Sequence, residues 1–408
     1  MSQPTASPAS TPFSVGHVAT PTEPPVDTVK ATAFFDACFP STNQLVEHHF
    51  PVLGVNPNLP LPSEAEALAM YRTMLTIRLW DERAIKLQRS GRIGFCVTSR
   101  FEEATQAATT AALEATDWIF PAYRQYGIML HRGATLETLA HQYFGNAQDI
   151  TKGRQMPCHP SDAEHYFCSV SSVIGSQIVH AAGGAMANQI LNNGGVSVTY
   201  FGDGSTSAND FHSGLNLAAV RKAPALFVCV NNQYAISLPF SQQTASATVA
   251  QKAVAYGMAG VRVDGTDALA VYQVTKAAAA YARAGQGPVL IECLTYRLDP
   301  HSSSDDPTRY RSSEEQQAWQ EKDPIERLKQ ALLQQYAIAP DALEALETDL
   351  KQAIQAAIET AQRTPQHDWD SLISDVYEAP PPYLQQQLAE ILDHERDLQL
   401  PHPGAFPL

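Results

Sequence analysis

The chain has 408 residues, a hydrophobic share of 44% and a formal net charge of -15. That length holds a large core, in one big domain or two smaller ones. The acidic balance excludes a nucleic-acid partner recognised through phosphate neutralisation, which needs a basic face, and no apolar run is long enough to span a membrane.

The first 30 residues are rich in Pro, Ser and Thr and poor in large apolar side chains, so they are expected to be disordered. They lack the charged start and apolar stretch of a secretory signal and the arginine-rich character of a mitochondrial leader, which gives a cytoplasmic expectation. The six cysteines, at 38, 96, 158, 168, 229 and 293, form no CxxC pair and read as buried reduced thiols. Residues 31–62 carry Phe34, Phe35, Phe39 and Phe50 among prolines. They read as an extended arm that packs on its own domain or on a neighbour.

Ser63 opens a helix. Ser63 and Glu66 fit a capping box, Leu68, Tyr71, Leu75 and Leu79 recur at helical spacing, and Gly91 is a plausible end. A short segment, 92–100, is strand-like or irregular. A second helix is expected over 102–113. Its opening pair, Glu102 and Glu103, points two ways on a helix, and the favoured reading is a solvated helix start. Arg124 follows a strand-like run from Asp117 and offers a planar set of donors; it is either a phosphate ligand or a surface ion-pair partner. Residues 153–177 read as loop. The small-residue helix from Ser176 to Leu191 contains Gly183 and Gly184, which cost about 1 kcal/mol each and imply close packing, at a neighbouring element or a subunit contact.

The centre of the chain is the unit from Gly202 to Asn232. An apolar run, 196–201, ends on Gly202-Asp203-Gly204; a helix is expected over 208–222; a second strand, 225–230, ends on Asn231-Asn232. Strand, helix and strand in this order predict a parallel pair, with both polar ends at the carboxyl edge of the sheet. Glycines let the backbone approach a ligand. A carboxylate and a carboxamide are oxygen donors that suit Mg²⁺, and a helix N-terminus after Gly204 would favour an anion. The physical reading is a Mg²⁺–diphosphate site; the alternative is a buried Asp capping a helix with an Asn turn beyond. A dinucleotide site fits less well, because position 207 is Ser where the fingerprint needs its third Gly.

Beyond this unit a strand and turn are expected at 261–265, a helix at 268–283 and a buried strand at 288–295. A polar loop holds His301, Ser302, Ser303, Ser304, Asp305 and Asp306. Helices follow at about 323–336 and 340–363, then a Pro380-Pro381-Pro382 break and a last helix. The expected division is an arm, 1–60, an α/β domain, 61–330, and a helical C-terminal region with its tail, 331–408.

These motifs together resemble one family: alpha subunits of the thiamine-diphosphate-dependent decarboxylase component of branched-chain 2-oxo acid dehydrogenase complexes. The likeness runs from about 61 to 310 and more loosely to 390. It rests on Phe120 with Tyr123-Arg124, on Gly153-Arg154-Gln155-Met156-Pro157, on Ser171-Ser172 with Gln177, on the 26 residues between Gly204 and Asn231, and on the loop from His301. Ser304-Asp305-Asp306 favours the branched-chain branch, since pyruvate relatives carry SDP there; a pyruvate or acetoin dehydrogenase alpha subunit, or a non-catalytic scaffold, is the alternative.

The resemblance implies the thiamine-diphosphate-binding α/β fold, a parallel sheet flanked by helices with a helical C-terminal extension. It implies that Asp203, Asn232 and the carbonyl of Tyr234 ligate Mg²⁺. Tyr123, Arg124, Gly202, Gly204 and Ser205 would meet the diphosphate, Ser172 and Ile174 the rings, and His301 the diphosphate and the reacting centre. In some relatives K⁺ sits on the loop matching Ser171, Val173, Ser176 and Gln177. Ser302 matches a serine phosphorylated in animal relatives. The sequence departs from the animal pattern at Val230, where an Arg is expected, and at Ala122, where a polar residue is usual. Removing CO₂ from a branched-chain 2-oxo acid needs an electron sink that only a cofactor offers, and His301 is the acid/base candidate; read by itself, a lone loop His is a surface residue. The family's catalytic Glu belongs to a beta subunit, so the resemblance implies an α2β2 heterotetramer that passes its acyl group to lipoyl-lysine on a transacylase.

Overall fold

The structure, a computed structural model, describes residue 33, residues 50–374 and residues 376–398. The expected disordered tip, Cys38, the arm's first three phenylalanines and the last ten residues lie outside them.

Five parallel strands form one sheet. They are β1 (Trp118–Phe120), β2 (Ser197–Gly202), β3 (Ala225–Asn231), β6 (Ala259–Asp264) and β7 (Val289–Leu294), in the order β1-β2-β3-β7-β6. A two-residue hairpin, β4 (Tyr234–Ala235) with β5 (Leu238–Pro239), follows β3. Each central strand reads as a near-continuous apolar run because helices cover both faces; every residue of β3 is buried.

On one side lie α1 (Glu64–Arg89), α2 (Glu103–Ala111), the short α3 (Gly127–His131), α4 (Leu136–Phe144) and, later in the chain, α8 (Ala268–Arg283). The other side carries α5 (Ser176–Leu191) and α6 (Asn209–Arg221), with the short α7 (Phe240–Gln243) near the sheet's carboxyl edge. The capping box of α1 forms as expected: the Glu66 N–H donates to Ser63 Oγ at 3.3 Å and the Ser63 N–H to Glu66 Oε2 at 2.7 Å. Acidic residues in its first turn and basic ones in its last complement the helix dipole.

The C-terminal helices are α9 (Ser313–Gln320), α10 (Pro324–Gln334), α11 (Pro340–Arg363), α12 (Ser371–Ser374) and α13 (Pro382–Leu398). Helix α10 spans position 330 and packs on α1, while α11 lies against α4 and α1. Leu332, Leu343, Ile354 and Ile358 join the same apolar core as the sheet's inner face.

Both sheet edges are occupied. The Leu53 N–H donates to the Arg262 carbonyl at 2.9 Å and the Leu53 carbonyl accepts from the Asp264 N–H at 3.0 Å, so the end of the arm packs on its own domain. At the other edge, the Ile119 N–H reaches the Tyr166 carbonyl and the Ile119 carbonyl takes the Cys168 N–H, each at 2.9 Å. The described cysteines are free thiols, and all but the half-buried Cys168 are buried. Among the described residues no helix is long and apolar enough to cross a membrane.

Gly184 has a packing reason. A Cβ there would stand 2.7 Å from Phe120 Cζ and 2.9 Å from Ser197 Oγ, so α5 rests directly on β1 and β2. Gly183 faces open space.

Candidate functional site

Because all five strands run the same way, their carboxyl ends share one edge, and the loops after β1, β2, β3 and β7 converge there. Gly202 pairs with Val230 in the register of β2 and β3. One residue further along each strand stand Asp203, which is 1% exposed, and the end of β3, with Asn232 at 6%. The Asn232 backbone N–H, which donates to the Val230 carbonyl at 3.0 Å, is close enough to Asp203 to favour its charge. The two residues therefore share one buried recess.

Asp203 Oδ2 accepts from Gln243 Nε2, brought by α7, at 2.6 Å. Among the described residues no basic side chain forms an ion pair with it. Burial lifts its pKa to about 6, against the lowering pull of Gln243, the backbone, Arg297 and the Asn232 N–H. A buried carboxylate with no ion-pair partner among the described residues, an amide oxygen and a nearby carbonyl form an oxygen set that fits a hard divalent cation. Among the described residues no cluster of three His, Cys, Asp or Glu could hold a metal, so this mixed set is the candidate.

The Asn pair divides its work. Asn231 is structural: its Nδ2 donates to the buried Glu292 at 2.7 Å and its Oδ1 accepts from Gln233. Asn232 turns Nδ2 to Glu102 Oε1 at 2.6 Å and takes the Tyr234 N–H on Oδ1 at 3.3 Å. The Tyr234 carbonyl accepts from Arg297 Nη1 at 3.1 Å and its ring lies under the Arg297 and Arg311 guanidinia.

After β2 come a turn and then a helix close to the expected 208–222, but no helix N-terminus stands at Gly204. Asp203–Ser207 is a tight 3₁₀ turn, and α6 begins only at Asn209. Run together, Gly, Ser and Thr favour a turn over a helix start. Gly204 is needed because a Cβ would meet Ala235 Cβ at 2.7 Å, whereas nothing stands within 4 Å of one placed on Gly202.

From the loop after β1, Arg124 is buried, not a surface ion-pair partner. Its Nη1 donates to the Thr98 carbonyl at 2.6 Å; its Nη2 reaches His301 Nδ1 at 3.1 Å and the His301 carbonyl at 2.5 Å. The guanidinium also lies 5.5 Å over the Tyr123 ring. Burial, then Arg124 and Arg297, depress the His301 pKa to about 3. Since Arg only donates, Nδ1 is an acceptor and the neutral ring carries its proton on Nε2.

Tyr123 stacks on His159 at 6.0 Å and meets His301 edge-on at 6.3 Å. His159 Nδ1 faces the Pro157 carbonyl at 3.0 Å, so it donates, and Nε2 accepts from Ser172 Oγ at 2.7 Å. Ile174 is exposed in the loop beyond. In that loop Ser171 Oγ accepts the Val173 N–H, and Ser176 Oγ donates to the Val173 carbonyl. Gln177 donates to the Tyr200 carbonyl at 2.9 Å, while its buried Oε1 has no donor, which fits a monovalent cation there. Ser302 is half-buried, and its Oγ accepts from the Ser304 N–H.

The solvated reading of Glu102 and Glu103 is overturned. They do face different ways, but both are buried: Glu102 meets Asn232, and Glu103 ion-pairs with Arg78 Nε at 2.6 Å. Sequence reading also passed over His159, Gln243 and Arg297. Of these only His159 lies near a motif quoted above, Gly153–Pro157, and no local pattern marks Gln243 or Arg297.

A family model described as dehydrogenase E1 component matches residues 71–370. The chain is 41% identical over 347 residues to 2-oxoisovalerate dehydrogenase subunit alpha 2, mitochondrial, of Arabidopsis thaliana, covering 85% of this chain and 72% of that one. It is 40% identical over 342 residues to the mitochondrial 2-oxoisovalerate dehydrogenase subunit alpha of Caenorhabditis elegans, covering 83% and 79%. It is 38% identical over 340 residues to that of Homo sapiens, covering 83% and 76%. All three are mitochondrial subunits, which overturns the cytoplasmic expectation. That expectation rested on the composition of the first residues, which lie outside the matched domain.

Proposed function

The chain belongs to the dehydrogenase E1 component family, and from that membership we propose that it is the alpha subunit of a branched-chain 2-oxo acid dehydrogenase. The reaction is the oxidative decarboxylation of branched-chain 2-oxo acids with acyl transfer to lipoyl-lysine. The observation that carries the site assignment is the shared burial of Asp203 and Asn232 at adjacent strand ends, beside Tyr123, Arg124 and His301.

Asp203, Asn232 Oδ1 and the Tyr234 carbonyl would hold Mg²⁺, and the metal would neutralise a diphosphate. Gly202, Gly204, Ser205, Tyr123 and Arg124 would receive that diphosphate, the glycine at 202 leaving room for close approach. Ser172 and Ile174 would lie along the rings. Thiamine diphosphate, when bound, supplies the electron sink for the charge left by CO₂. His301 presents an N–H at Nε2, held in place by Arg124 on its other nitrogen, and so would donate or recover a proton at the reacting centre. The loop Ser171, Val173, Ser176 and Gln177 would take K⁺, with the orphaned Gln177 Oε1 as its side-chain donor.

An alpha subunit works with a beta subunit and a transacylase; the stoichiometry proposed is α2β2. The exposed Ile190 and Leu191 on α5 and Val220 on α6 offer apolar surface for such a partner. The proposed organisation keeps the arm at 1–60, the α/β domain at 61–330 and the helical region at 331–408.

The test is co-expression with the beta subunit, followed by rates on 3-methyl-2-oxobutanoate and pyruvate. Preference for the branched acid, and loss of turnover in Asp203→Ala, are expected. Full decarboxylase turnover by this chain alone, or native activity in Asp203→Ala, would refute the assignment.

A further inference from the structure

An amide that ligates a cation must present its oxygen, yet the two ends of an Asn side chain are nearly the same size. Presenting NH₂ instead would place a positive dipole end at the metal. Something must therefore choose the rotamer of Asn232. Two groups do so: the Glu102 carboxylate takes the Nδ2 hydrogens at 2.6 Å, and the Tyr234 N–H points at Oδ1.

We propose that Glu102 is a positioning residue for metal capture, which locks the Asn232 amide with its oxygen toward the cation shared with Asp203. This rests on the metal reading given above.

Glu102 is well fixed for that task. It is 1% exposed, at the N-terminal end of α2, with its own N–H bonded to the Ser99 carbonyl at 2.7 Å. Gln125 Nε2 approaches its second oxygen at 3.4 Å. No ion pair accounts for its burial among the described residues. Burial raises its pKa, with Arg124 and then Asn232 pulling the other way, and the Arg124 hydrogen bonds go to Thr98 and His301. Its neighbour Glu103 is different, being matched by Arg78. A buried carboxylate whose one short hydrogen bond goes to an amide, with a second amide only at 3.4 Å, costs stability unless the first amide's orientation matters.

The experiment is calorimetric titration of thiamine diphosphate into the α/β complex at stepped Mg²⁺ concentrations. Glu102→Met is expected to raise the half-saturating Mg²⁺ about 10- to 100-fold, as for other partners of metal ligands. Glu102→Gln should restore most of it, because a glutamine oxygen still accepts from Nδ2. In an Asn232→Asp background both ends are oxygen, so orientation ceases to matter and two carboxylates repel. There Glu102→Met should leave Mg²⁺ binding unchanged or improve it, whereas a merely structural role would add a second loss. Should Glu102→Met fail to assemble, Glu102→Ala, which likewise lacks an acceptor for Nδ2, is compared in both backgrounds. A native Mg²⁺ dependence in Glu102→Met, or a further loss in the double variant, overturns the proposal. Asp203→Ala separates the two readings: if it keeps native Mg²⁺-dependent binding, the metal site itself is wrong; if it loses binding while Glu102→Met does not, only the positioning role is wrong.

Discussion

His301 and Arg124 share a hydrogen bond at 3.1 Å in which the guanidinium donates and the imidazole Nδ1 accepts, leaving the ring neutral with its proton on Nε2. Arg124→Met removes both that donor and a nearby positive charge. The His301 pKa, depressed to about 3, should then rise toward the ordinary range near 6.5. A ¹³C-histidine NMR titration of the cofactor-free complex reads this directly. An unchanged His301 titration would mean that burial alone sets it.

The same depression has a consequence for acid stability. Unfolded, His301 takes a proton near pH 6.5; folded, it resists until about 3. The unfolded state thus binds more protons across that window, and stability must fall as pH drops through it. His301→Asn should flatten the melting temperature against pH between about 6 and 4, measured by calorimetry on the complex.

Arg78 and Glu103 form a buried pair, with Asp323 as a second partner of the arginine at 3.0 Å. Glu103→Ala strands a buried guanidinium that Asp323 only partly compensates. A loss near the low end of the usual range, about 3 kcal/mol, is expected in urea denaturation.

The adjacent glycines of α5 should respond with opposite signs. Gly184→Ala drives a methyl into Phe120 and Ser197 and should cost about 1–3 kcal/mol. Gly183→Ala meets open space and should gain up to about 1 kcal/mol from helix propensity. Urea melts of the isolated chain distinguish them, and a loss in both would contradict the packing described.

His159 fixes the polarity of Ser172 by accepting its proton, so the hydroxyl offers only lone pairs to the site. His159→Phe keeps the stack on Tyr123 but frees that hydroxyl. Cofactor affinity should drop by about 1 kcal/mol, roughly fivefold. Thiochrome retention after gel filtration reports it.

The elements written by local rules were legible in the sequence. The helices 176–191, 268–283 and 340–363 have the expected bounds, and the Gly202–Asn232 unit has the expected order. Here capping residues, periodicity and glycine placement act within a few residues of one another. Glu102 was misjudged because its partner lies 130 residues away. Which strand end it meets depends on the sheet order, in which β7 inserts between β3 and β6, and nothing local records that. Arg124 was left open for the same reason, since its acceptors come from residues 98 and 301. The helix expected from 208 begins at 209, but the helix N-terminus expected after Gly204 is a 3₁₀ turn, because glycine-rich segments admit several backbone paths and the choice is made by what they touch, here Ala235.

Leu53 bridges to Val263 on β6, and Phe167 to Ile119 on β1, so a strand added at either flank of the sheet must first displace a strap. A chain shortened past Leu53 would bare one flank and should precipitate by edge-to-edge stacking.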